Sequence, residues 1–156
     1  MRRAIWLGVA ALSVLSAAPA MAEAVPAKDM SAADQAAIFK AAGFKAKGDK
    51  WVRCEDDTTQ SAQTGFIEVE DLNGDGVNEA WVREGSLFCY GNTAEAFVLL
   101  SKDAKGSWNI LLDEVGVALP LDTKSKSGWK DIEVGGPGAG PFPKYRYDGK
   151  KYARKK

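Results

Sequence analysis

Two periods of apolar and polar positions divide this chain. Between Ser31 and Gly43, Ile38 and Phe39 join Ala36, Ala37 and Ala42 as the apolar side of a short helix. Ser31 is placed to cap the first turn, Asp34 to face the positive end of the helix dipole, and Gly43 to end the helix before Phe44. From Lys50 onward the period shortens to two, in runs bounded by Gly, Asn and Asp, which is the mark of antiparallel strands. Strands are predicted at 51–54, 64–70, 79–84, 96–102, 107–114 and 132–134, with a closing hairpin of 145–147 and 151–153. Tight connections at Lys105-Gly106 and Asp148-Gly149 favour pairing in chain order, as a meander. The expected fold class is α+β: an N-terminal helix packed on a curved antiparallel β-sheet or small open barrel of about six to eight strands.

The pattern ahead of the helix belongs to export. Arg2 and Arg3 precede an apolar run from Ile5 to Ala18, and Ala20-Met21-Ala22 offers a small-x-small cleavage site, so residues 1–22 are expected to be a signal peptide. The apolar run, with Ser13 and Ser16 in it and Pro19 ending it, is short for a membrane span of about 20 residues. Residues 23–30 then form a linker, and 31–156 a single domain that holds the loop described below. Cleavage after Ala22 leaves 19 basic against 21 acidic groups, a balance that argues against a nucleic-acid partner. The protein is expected to be periplasmic or secreted, with no membrane span after cleavage.

Export changes the reading of Cys54 and Cys89, the only cysteines. In an oxidising compartment they are expected to form a disulfide, which by loop entropy stabilises the fold by about 3 to 4 kcal/mol.

That closed segment contains the clearest chemistry in the chain. Asp71-Leu72-Asn73-Gly74-Asp75-Gly76-Val77-Asn78-Glu79 sets side-chain oxygens at loop positions 1, 3, 5 and 9 and a glycine at 6. A hard cation such as calcium needs six to eight oxygen ligands, so alternate residues must turn inward around a sharp bend. Asp71, Asn73, Asp75 and Glu79 supply side chains, Val77 a carbonyl, and Gly76 the bend. With no histidine and two cysteines, zinc and copper have almost no ligands. An EF-hand would place Glu at position 12, which is Val82 here, and a strand-like Ala80-Trp81-Val82-Arg83 follows in place of a helix.

Other segments are weaker. Asp131 and Glu133 sit two apart, on one face of a predicted strand at roughly the spacing glycosidases use. Gly135 to Pro141 lacks the spacing of a nucleotide loop, and reads as a wide turn beside Trp129 and Phe142, which are candidate partner-binding residues together with Asp131 and Glu133. The Tyr- and Lys-rich stretch from Lys144 to Lys156 reads as a protected edge strand and basic tail. The absence of histidine excludes Ser-His-Asp and Cys-His arrangements.

The D-x-N-x-D-G-x-x-E loop between two strands resembles the calcium loops of integrin-type FG-GAP or VCBS repeats. It occurs once, and a propeller needs several copies, so the resemblance implies a calcium loop and no propeller. With G-W-x-D-I-E-V-G-G-P-G near its end, the chain also resembles small exported bacterial proteins, which implies no activity. The first expectation is an exported, non-enzymatic domain with structural calcium, acting on a macromolecule, either a protein or a cell-wall glycan. Two alternatives are an inhibitor or immunity protein against a cell-wall hydrolase, and a carbohydrate-active enzyme using Asp131 and Glu133.

Overall fold

The computed structural model describes residues 30–57, 65–93, 95–136, 138 and 141–156. The expected signal peptide, residues 1–22, and all of the expected linker but Met30 lie outside the described residues.

Helix α1 (Ala32–Ala41) begins as its sequence predicts: Ser31 Oγ accepts a hydrogen bond from the Asp34 N–H at 3.1 Å. Two short strands follow, β1 (Lys45–Lys47) and β2 (Lys50–Val52), paired as a hairpin. Strands β3 (Phe66–Glu70), β4 (Glu79–Gly85), β5 (Glu95–Lys102) and β6 (Trp108–Val115) then form one antiparallel sheet in chain order. A short helix, α2 (Leu87–Tyr90), and a 3-10 turn (Gly91–Thr93) lie between β4 and β5. Strands β7 (Val117–Lys124), β8 (Lys130–Gly135), β9 (Lys144–Tyr147) and β10 (Tyr152–Arg154) form a second sheet, also in chain order.

Alternation along β4 and β5 explains why the first sheet lies in the middle. Ala80, Val82, Val98 and Leu100 point to one face, where they pack with Ile67, Val69 and the helix residues Ile38, Phe39 and Ala42. Trp81, Phe97 and Leu99 point to the other, where Leu112 joins Ala118, Ile132, Val134 and Tyr152 of the second sheet. The helix, the central sheet and the second sheet are therefore three layers enclosing two apolar cores.

The described residues form ten strands in three open sheets, so the meander is right and among them no small barrel is formed. β7 was not expected, because Pro120 lies within it. As the end strand of its sheet it can carry a residue without an N–H. Its link to β6 is Gly116 alone, at φ 137°, whose N–H donates to the Glu95 carbonyl at 2.9 Å. A β-carbon at Gly116 would collide with the Gly135 carbonyl oxygen, so glycine is required where the chain passes between layers.

Candidate metal centre

The 71–79 loop joins β3 to β4 and is bent by Gly74 and Gly76, at φ 82° and 83°. Its polar side chains turn inward. Asp71 accepts from the N–H groups of Asn73 (3.2 Å), Gly74 (2.7 Å) and Gly76 (2.9 Å). Asn73 Oδ1 accepts from the Asp75 N–H at 2.8 Å, Asp75 Oδ1 from the Val77 N–H at 2.7 Å, and Asn73 Nδ2 donates to Asp75 Oδ2 at 3.0 Å. Partial burial works to raise the Asp71 pKa, but the backbone donors win and hold it below its usual value.

Glu79 differs from the other four. It is 1% exposed, in the layer between the sheets, where Oε2 accepts from the Leu72 N–H at 2.9 Å and Oε1 from the Ser101 hydroxyl at 3.3 Å. Burial, with the charges of Asp75 and Asp71 added, pushes it up to about 7 against the pull of its two donors. One residue earlier, Asn78 Oδ1 is buried with no hydrogen-bond donor among the described residues, a cost that native structures rarely carry. Among the described residues no three Cys, Asp or Glu side chains converge to hold a metal by themselves. An ion here would depend on the amide and backbone oxygens as well. The donor set is nonetheless all oxygen, with repelling carboxylates and an unsatisfied acceptor, and that chemistry suits a hard cation.

The loop also meets the second sheet. Lys130 donates its backbone N–H to the Leu72 carbonyl at 2.9 Å and its Nζ to Glu70 Oε1 at 2.7 Å, while Leu72 is buried in the intersheet core. A β-carbon on Gly128 would lie 3.1 Å from the Asn73 carbonyl oxygen.

The second candidate group is placed elsewhere. Asp131 is 0% exposed and held by Arg146, whose Nε and Nη2 reach its two oxygens at 2.8 and 2.6 Å. Thr123 donates to it at 2.8 Å and Lys155 at 3.4 Å. The Arg146 bond, followed by Thr123 and the Arg146 and Lys155 charges, outweighs burial and brings Asp131 to about 2. Such a group stays ionised at neutral pH and is a poor proton donor. Glu133 pairs with Lys144 at 3.6 Å. Trp129 stacks on Tyr147, with ring centres 4.3 Å apart, and meets Tyr152 edge-on, so it closes the core more than it presents a surface. Phe142 is half-buried beside Gly135.

The predicted Cys54–Cys89 disulfide is formed, with Cα atoms 6.1 Å apart, and it closes the 35-residue segment that contains the loop. Sequence reasoning missed Glu84. This buried carboxylate accepts from the Arg53 and Cys54 N–H groups and from the Tyr90 hydroxyl. An acid at the end of an apolar strand was its only signal. Comparison with protein-family models, with curated proteins and with solved structures gave no match.

Proposed function

We propose that this chain is an exported, non-enzymatic domain in which a calcium ion held by the 71–79 loop stiffens the join between two stacked sheets. The observation that carries this reading is the loop itself: inward-turned Asp71, Asn73 and Asp75 beside a buried Glu79 and an acceptor at Asn78 with no donor among the described residues. Asp71, Asn73, Asp75 and Glu79 would hold the ion through side chains and Val77 through its carbonyl. The ion would supply positive charge where the Asp71 and Asp75 carboxylates now act against an ionised Glu79. Lys130 and Leu72 would pass the loop's rigidity to the second sheet through their 2.9 Å backbone bond. The biological role is then exercised by binding a macromolecule in the periplasm or outside the cell.

Calorimetry with calcium chloride tests this directly. Binding heat is expected, together with a gain of about 2.7 kcal/mol in stability at a hundredfold excess over Kd. Asp71→Ala and Asp75→Ala are expected to remove both. Absence of heat and of any thermal shift in the wild-type chain rejects the metal.

One observation favours a second reading, that of an inhibitor of a cell-wall hydrolase. Leu87 and Phe88 are 61% and 54% exposed on the short helix α2, which the disulfide anchors, as suits side chains that insert into a cleft. Inhibition of lysozyme-type or amidase-type hydrolysis, lost in Leu87→Ser/Phe88→Ser, supports this reading, and unimpeded hydrolysis removes it. The paired states of Asp131 and Glu133 give the glycosidase reading no such support.

A further inference from the structure

The Cys54–Cys89 disulfide is unequally exposed: Cys54 is buried, whereas Cys89 lies exposed on α2. Both line an open groove of about 480 Å³, together with Arg53, Tyr90 and Asp113. Exchange of a disulfide requires a thiolate to reach one sulfur in line with the bond, so access decides which sulfur is attacked.

A second tie joins the same two segments. Glu84, 1% exposed, accepts from the Arg53 N–H at 2.8 Å, the Cys54 N–H at 3.0 Å and the Tyr90 hydroxyl at 2.6 Å. Ser86 adds a third link: its Oγ accepts from the Cys89 N–H at 3.1 Å, donates to Asp57 at 2.9 Å, and lies 3.4 Å from Cys54 Sγ. Residues 53–54 and 86–90 are thus held together by hydrogen bonds that do not depend on the S–S bond.

We propose that Cys54–Cys89 is a thiol-exchange site, opened at Cys89 by an external dithiol while the fold stays intact. The attacking thiolate bonds to Cys89 Sγ, and the S–S electron pair leaves on Cys54 Sγ, which takes a proton from solvent. The second thiol of the reductant, as thiolate, then displaces Cys89, which is protonated in turn. The protein gains two electrons and two protons, and the dithiol departs as its own disulfide. The freed Cys54 thiol has Ser86 Oγ at 3.4 Å as an acceptor. Glu84 keeps the two segments in register, so the thiols stay placed to re-form the bond.

The test uses the native full chain, dithiothreitol as the dithiol, and alkylation with mass spectrometry as the readout. Attack on the folded protein predicts a reduction rate proportional to dithiothreitol concentration, unchanged by low urea, with the near-ultraviolet circular dichroism retained. A rate that saturates with reductant or climbs steeply with urea overturns the proposal, as does loss of the dichroism on reduction. In a parallel arm with glutathione, the mixed disulfide is expected on Cys89, and an adduct confined to Cys54 overturns it.

Discussion

The two faces of the central sheet are closed by different physics. On the helix side Ile38, Phe39, Ala42 and Phe44 pack on Ile67, Val82 and Leu100, with Phe39 stacked on Trp51 at 5.1 Å. On the other side the core of Phe97, Leu99 and Ile132 is rimmed by directional bonds. Lys130 reaches Glu70 and Leu72 and Tyr145 donates to Glu114 at 2.9 Å across the sheets, while within the second sheet Tyr152 steadies Lys130 by donating its hydroxyl to the Lys130 carbonyl at 2.8 Å. A helix satisfies its own backbone and can dock by apolar burial alone. Two stacked sheets can slide on a non-directional core, and bonds with fixed geometry at the rim restrain that freedom.

The comparison breaks most visibly in the cores. Phe39→Ala is expected to cost about 3 to 5 kcal/mol and Ile132→Ala about 2 to 5 kcal/mol in urea melts. The two should part in calorimetry: Phe39→Ala leaves calcium affinity unchanged, and Ile132→Ala weakens it, because only the latter loosens the layer that holds Leu72 and Glu79. Equal affinities would mean that the loop does not sense the second sheet.

Arg146→Met comes next, because it takes the main partner from a buried carboxylate, at an expected cost of about 1 to 3 kcal/mol. The pH dependence follows from Asp131, whose folded value of about 2 lies below its ordinary 3.8. The folded state binds this proton more weakly than the unfolded one. Its stabilisation is therefore complete above about pH 4 and is lost as pH falls toward 2. The gap in melting temperature between wild type and Arg146→Met should close over that window, and a constant gap would show that Asp131 does not depend on Arg146.

Smaller effects test the rim. Tyr152→Phe removes one hydroxyl from the Lys130 carbonyl and is expected to cost about 1 kcal/mol. Lys130→Met breaks a half-exposed ion pair while keeping the backbone bond to Leu72, so its expected cost is under about 1 kcal/mol.

Much of the fold was legible because its signals are local. The Ser31 cap, the stop at Gly43 and the period-two runs each depend on a few neighbouring residues, and all mark real elements. β1 escaped notice because Lys45, Ala46 and Lys47 are all exposed and show no alternation. β7 was obscured by Pro120, whose tolerance depends on which strand ends the sheet. Asp131 read as a candidate catalytic or partner-binding acid, since Arg146 and Lys155, which cover it, lie 15 and 24 residues away. Glu84 gave little signal for the same reason, with two of its donors about 30 residues upstream. The 71–79 loop announced its inward-turned oxygens in sequence, yet the burial of Glu79 between layers depends on β5 and the second sheet.

Every strand in both large sheets pairs with its neighbour in the chain, and a single residue, Gly116, joins one sheet to the other. Such an order keeps most pairings close along the chain, which favours rapid folding. It also gives assembly a direction. A chain emerging from its N-terminus holds the helix, both cysteines and all four central strands before the first residue of β7 appears, so the central sheet can serve as the template on which the second is laid down.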